Sequence, residues 1–198
     1  MYVLFLLSIA VLAIVVEKYR RIAQVRKANA KLRLMLEQQE KQESVRAILK
    51  VQGQDSPLGV MLDKLYNHQG DDVELALKSM ESTANMELHK LEKGMGWLST
   101  FSAIAPLIGF LGTVLGMVNV FMNIQGQGQN SVDINMLAGG IWEALLTTVG
   151  GLIVGIVAIV FYNDIVQNLE NIAKELQNEA VAYEIRFKNH VPKEPAKP

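Results

Sequence analysis

The chain has 198 residues, half of them hydrophobic (50%), and a formal net charge of -1. It has no cysteine, which excludes disulfides, thiol chemistry and cysteine-based metal sites. The near-neutral total hides a polarised distribution of charge along the chain. Its apolar residues are concentrated in three blocks, about 1–16, 98–124 and 136–162, with charged sequence between them.

The first block is short for a membrane crossing: sixteen residues rise about 24 Å against about 30 Å of hydrocarbon. That shortfall leaves room for a start a few residues earlier. A signal peptide would need a basic n-region and a small-residue cleavage site, and neither is present. The block is followed instead by EKYRRIAQVRK, a positive run of the kind that anchors a span on its cytoplasmic side. The block is therefore expected to span. The amphipathic basic run at a membrane exit suits anionic lipid headgroups better than nucleic acid.

From residue 17 to about 51 the sequence is rich in Lys, Arg, Glu, Gln, Ala and Leu, with no Gly or Pro. This composition predicts a helix continuing from the first span as one long rod. GQDSPLG breaks it, VMLDKLY forms a short amphipathic piece, and NHQGDD makes a second break. Helix resumes near Asp71, where Asp71 and Asp72 suit a positive N-terminus, and runs with little interruption into the second block.

The second and third blocks hold about 27 residues each, more than the roughly 20 that a span requires. In the second, Ala105, Gly109 and Thr113 recur every fourth residue, and Gly112 and Gly116 form a GxxxG. In the third, Thr147, Gly151 and Gly155 repeat likewise, with Gly151–Gly155 a second GxxxG. Small residues at this spacing let helices approach closely in lipid, so both stripes are expected to be packing seams. Pro106 removes one helix hydrogen bond and can kink its span. Asn119 and Asn123, toward the outer end, suit interfacial or interhelical bonds.

Spacing leaves the roles of the polar groups open. A threonine in a membrane helix can bond back to its own chain or line a path. Glu143 is an ionisable group inside a span, which marks a functional candidate. It also lies near enough to the outer interface to reach headgroups. His68, His89 and His190 share no metal-ligand spacing and read as surface residues.

Of the 19 Lys and Arg, 14 lie between residues 17 and 96, 5 follow residue 162, and none falls in QGQGQNSVDINM, residues 125–136. The positive-inside rule then places the N-terminus outside and the C-terminus in the cytoplasm. The expected architecture is an all-α membrane protein with three transmembrane helices and long cytoplasmic helical extensions. Its segments are span 1–16, cytoplasmic helical loop 17–96, span 97–124, short periplasmic loop 125–136, span 137–162, and cytoplasmic helix and tail 163–198. In the last segment, Ile165, Leu169, Ile172, Leu176 and Val181 form a helical stripe, read as packing on the chain's own helices or on a neighbouring subunit. The tail PKEPAKP is expected to be disordered. No phosphate loop, Ser-His-Asp grouping or enzyme-spaced carboxylate pair is present, so no catalytic residue, cofactor or metal is expected.

Two stretches carry a family resemblance. APLIGFLGTVLGM resembles the second-span signature of the MotA/TolQ/ExbB proton channel family. IWEALLTTVGGLIVGIVAIVFYN resembles its third-span signature, in which E-A-L precedes a threonine-containing, glycine-rich run ending Y-N. Three spans are similar to the ExbB and TolQ branch, since MotA-type stators have four. The resemblance is strong over residues 97–163 and one of layout elsewhere. Many relatives carry a proline where this chain has Val157, so no kink is implied there. By position, the resemblance implies functional threonines at Thr113 and Thr148 and an intramembrane glutamate at Glu143. It also implies a pentamer whose threonine faces line a pore. In that pore sit ExbD- or TolR-like single-span partners bearing a membrane aspartate, with a TonB- or TolA-like protein carrying work to the outer membrane. The expected function is thus an inner-membrane proton-channel subunit powering TonB-dependent transport. A TolQ-like envelope-maintenance motor and a non-conducting scaffold are the alternatives.

Overall fold

A computed structural model describes residues 2–39, 42–67, 73–126 and 134–190 of the chain, with the side chains of residue 42 and of 187–190 outside the description. All of its regular structure, among these residues, is helical: α1 (Tyr2–Glu37), α2 (Gln42–Gln52), a 3₁₀ turn (Gly53–Asp55), α3 (Pro57–Tyr66), α4 (Val73–Glu92), α5 (Met95–Gly126) and α6 (Ile134–His190). Three stretches, Tyr2–Glu37, Val73–Gly126 and Ile134–Arg186, are long and apolar enough to cross a membrane. The loop around residues 127–133, the break at 68–72 with Asp71 and Asp72, and the C-terminal tail lie outside the described residues. His89 is exposed, 3.3 Å from Glu92. His68 and the side chain of His190 lie outside the description.

The chain forms two compact units, Met1–Lys18 with Gly94–Ile165, and Tyr19–Lys93 with Val166–Pro198. The first holds the three apolar blocks. Its outward faces are greasy: Leu107, Phe110, Trp142 and Ile156 are each at least 60% exposed. Such a surface is a liability in water but matches hydrocarbon. Pro106 sits inside α5 without ending it. Val157 lies in an uninterrupted α6.

The second unit is built like a water-soluble domain. Leu58, Met61, Leu62 and Leu65 of α3 are buried to within 1% of completion, alongside Leu36 of α1, Leu49 of α2 and Ile172 and Leu176 of α6. Each such side chain contributes about 1.5–3 kcal/mol on burial. GQDSPLG, expected to be a turn, is one, and its residues show why. Ser56 caps α3 by accepting a 2.9 Å bond from the Gly59 amide, and Pro57 occupies the first helical turn, where its missing N–H costs nothing. Gly59 itself must lack a side chain, because a Cβ there would overlap the backbone of Gly53. Ser56→Ala is expected to lower the stability of this unit by about 1 kcal/mol in a denaturant titration.

Three details differ from the sequence reading. The rod expected through residue 51 ends at Glu37, and a separate α2 begins at Gln42. No Gly or Pro marks this turn; it lets the buried Val45 and Leu49 of α2 join the core. Between α4 and α5, Gly94 adopts φ +92°, the left-handed region that favours glycine at a helix end. On α6, Ile165, Leu169, Ile172 and Leu176 are buried as expected, but Val181 is 56% exposed and Tyr183 is buried instead. The buried positions advance by sevens, so the stripe continues from 176 to 183, and 181 falls outside it.

Tyr183 meets Tyr66 edge to face, ring centroids 6.4 Å apart. Burial, followed by the nearby Glu179 carboxylate, pushes the Tyr183 hydroxyl from its ordinary 10.0 up to about 12, with Arg186 opposing. Burial raises Tyr66 as well, again against Arg186. A raised folded-state pKa means that the unfolded chain loses its proton first. The neutral hydroxyl's contribution is therefore whole below pH 10 and is lost as pH rises through about 12. Unfolding curves should show this unit weakening across that window, and Tyr183→Phe should flatten the dependence.

Candidate functional site

The polar centre of the first unit grows out of the glycine seam between α5 and α6. A Cβ on Gly109 would lie 2.8 Å from the Thr147 carbonyl oxygen and 3.0 Å from the Gly151 Cα. On Gly151 it would lie 2.6 Å from the Ala105 carbonyl oxygen, and on Gly116 2.6 Å from the Ala144 Cβ. One on Gly112 would meet Thr147 Oγ1 at 2.5 Å, and one on Gly155 the Pro106 ring at 2.7 Å. Ala105, Gly109 and Gly151 are accordingly buried between the two backbones. At Gly109 and Gly151 only glycine fits such an approach, the close-packing route open to helices in lipid.

That approach brings hydroxyls of α6 onto α5. Thr147 Oγ1 has two acceptors for its one proton, the carbonyl of Ala144 in its own helix at 2.7 Å and the Gly109 carbonyl at 3.2 Å. Thr148 Oγ1 reaches the same Gly109 carbonyl at 3.0 Å and stands 3.1 Å from Thr113 Oγ1. Thr113 Oγ1 donates to the Phe110 carbonyl at 2.6 Å. Each hydroxyl has one proton and two lone pairs. With the Thr113 proton on Phe110, the Thr148 proton has two acceptors within reach, the Gly109 carbonyl and Thr113 Oγ1. A turn of the Thr148 hydroxyl moves its proton between these two acceptors; reversing the chain, so that Thr113 donates to Thr148 and Thr148 to Gly109, takes a turn of both hydroxyls. Such a pair can pass hydrogen-bond polarity along, but it cannot hold an extra proton at ordinary pH.

Glu143 does not join this pair. It is exposed, and it precedes Thr148 by five residues, which sets the two side chains about 140° apart around α6. Gly150, one heptad beyond Glu143 and so on its face, lies 3.8 Å from the Leu4 side chain of α1 at its Cβ position. The carboxylate thus lies on a different side of α6 from the threonine pair. Asn119 and Asn123 are exposed on α5. Thr147 enters the site more fully than its spacing suggested; the sign of it in the sequence was a threonine doublet opposite the Gly109–Gly112 stripe.

Comparison with known proteins gives the following. The profile of the MotA/TolQ/ExbB proton channel family matches residues 18–178. A putative biopolymer transport protein ExbB-like 1 from Synechocystis is 40% identical over 89 residues, 44% of this chain and 35% of that protein. The Tol-Pal system protein TolQ of Haemophilus influenzae is 33% identical over 102 residues, 52% of this chain and 44% of that protein. The biopolymer transport protein ExbB of Neisseria meningitidis is 29% identical over 205 residues, 94% of this chain and 89% of that protein. The matched stretches span less than half the length of the first two relatives and most of the third.

Proposed function

The chain belongs to the MotA/TolQ/ExbB proton channel family, and from that premise we propose that it is the channel subunit of an ExbB-like energy-coupling motor in a bacterial inner membrane. Five copies surround the single spans of an ExbD-like partner, whose membrane aspartate supplies the proton-holding group that Thr113 and Thr148 lack. Protons cross beside that pair, and the work drives TonB-dependent transport across the outer membrane. The N-terminus is periplasmic and the C-terminus cytoplasmic, as the absence of Lys and Arg from residues 125–136 supports. Each proton crossing with the field yields about 2.3 kcal/mol per 100 mV.

The observation that carries this reading is the Thr113–Thr148 hydroxyl pair at 3.1 Å, on two helices that the sequence resemblance singles out for the same two residues. The TolQ relative favours a second reading, in which the same channel drives envelope maintenance through TolR- and TolA-like partners.

Isolation of the native assembly in mild detergent, followed by proton-flux measurements in liposomes under an imposed potential, tests the proposal. Flux is expected only when a single-span acidic partner is present, and Glu143→Gln should reduce it several-fold. An assembly with its partner that conducts no protons would establish the scaffold instead. The companion co-purified with it, TonB- or TolA-like, separates the two channel readings.

A further inference from the structure

We infer that Thr147 is a positioning residue: by taking or leaving the Gly109 carbonyl, it sets which way the bond between Thr148 and Thr113 points. Its role rests on the channel reading, because it acts through the pair placed beside the proton path.

Both threonines of the α6 doublet reach one acceptor on α5. The Gly109 carbonyl oxygen lies 3.2 Å from Thr147 Oγ1 and 3.0 Å from Thr148 Oγ1. A carbonyl has two lone pairs, and inside a helix one of them takes the amide four residues on. Helix α5 is continuous from Met95 to Gly126, so the Thr113 amide holds that place and one lone pair is left for two hydroxyls. Each hydroxyl also has a second acceptor: the Ala144 carbonyl at 2.7 Å for Thr147, and Thr113 Oγ1 at 3.1 Å for Thr148. The two choices are therefore linked. With Thr147 on Gly109, the Thr148 proton goes to Thr113, which donates its own to the Phe110 carbonyl. With Thr147 on Ala144, Gly109 is open to Thr148, and Thr148 Oγ1 is open to a proton from Thr113. The exchange needs only rotation about the Cβ–Oγ1 bonds, and no heavy atom moves.

A threonine that served packing alone would be satisfied by the Ala144 bond, the usual bond of this side chain back to its own helix. The reach to Gly109 depends on the seam. A Cβ on Gly112 would stand 2.5 Å from Thr147 Oγ1 and 2.9 Å from its Cβ, so the missing side chain at 112 is what admits this hydroxyl. Hydrocarbon offers no other acceptor, so a hydroxyl that leaves one carbonyl turns to the other. Linked hydrogen bonds also polarise one another where the dielectric is low, which carries the state of Thr147 through Thr148 to Thr113.

The test reads the shared carbonyl directly and then the flux. In the purified full-length assembly, the infrared stretch of an isotope-labelled Gly109 carbonyl rises when a hydrogen bond to it is lost. If the two hydroxyls contest one lone pair, Thr147→Val and Thr148→Val each leave the carbonyl bonded by the other, and only the double variant raises the stretch. A packing role gives no such substitution of one hydroxyl for the other. A stretch that rises in either single variant, or stays put in the double variant, overturns the inference. In liposomes, Thr147→Val should lower proton flux several-fold with the assembly intact, since the Thr148 proton then settles on Gly109, and Thr147→Ser should restore it. If Thr148→Val cuts the flux while Thr147→Val conducts like the parent, the role of Thr147 is refuted and the channel reading stands. If the parent itself does not conduct, the channel reading fails and the role of Thr147 fails with it.

Discussion

Thr148→Val in the reconstituted assembly is expected to cut proton flux at least tenfold while the proposed pentamer and its partner still co-purify. The size of the effect is what separates path from packing. Valine keeps the shape of threonine and removes only the hydroxyl, with its bonds to the Gly109 carbonyl at 3.0 Å and Thr113 Oγ1 at 3.1 Å. A side-chain hydrogen bond between membrane helices is worth about 0.6 kcal/mol on average, so the two lost here amount to about an eightfold change in an equilibrium. A loss well beyond tenfold with assembly intact therefore exceeds what these two packing bonds supply. Thr148→Ser keeps the hydroxyl and should retain most of the flux. If Thr148→Val conducts like the parent, the hydroxyl is a packing bond and the path lies elsewhere. Thr113→Val should fall with Thr148→Val, and the double variant should be little worse than either, because one broken link interrupts the same chain of bonds.

Gly151→Val should do something different: prevent the two helices from docking at all. Its Cβ would sit 2.6 Å from the Ala105 carbonyl oxygen and 2.8 Å from the Gly109 Cα. Both are backbone atoms, with no rotamer to yield, so α5 and α6 must move apart. Overpacking of a rigid site costs about 1–3 kcal/mol, and here separation also breaks the threonine bonds to Gly109. Loss of about 3 kcal/mol or more is expected in mixed-micelle denaturation, with loss of flux as a consequence. Gly96, in the same helix α5, has open space at its Cβ position. Gly96→Ala should therefore leave stability unchanged or raise it by about 0.5–1 kcal/mol. A Gly151→Val protein as stable as its parent would show that the seam opens freely.

Much of this was legible from residue order, because lipid imposes simple demands. Long uncharged runs must be helices, and small residues at fours must face another helix. The pairing of Thr113 with Thr148 followed from a resemblance rather than from spacing, which left each threonine free to bond its own backbone. In the structure both kinds of bond occur: Thr113 donates to Phe110 in its own helix and also stands against Thr148. What the sequence hid was set by tertiary packing. The turn after Glu37 uses no breaking residue, so propensity reads through it. Val181 looks like the next apolar residue of the stripe, yet Tyr183 takes the buried place because the seam keeps a seven-residue period. Spacing left Glu143 open between a role inside the span and one at the interface; it is exposed, about 140° around α6 from Thr148. Asn29 looks like one more polar residue in a charged stretch, yet it is buried and accepts a bond from the Leu58 amide.

The seven-residue spacing also governs which length changes the second unit can accept. In this unit Leu169, Leu176 and Tyr183 are buried a heptad apart on α6, as are Val25 and Leu32, and Ile22, Asn29 and Leu36, on α1. Inserting or deleting a single residue in either helix turns everything beyond it by about 100°, carrying leucines out to water and charges in. A change of seven in both helices leaves every buried residue on its side. Natural variation in the length of this region should thus come in matched heptads, and engineered spacers should be cut to that unit.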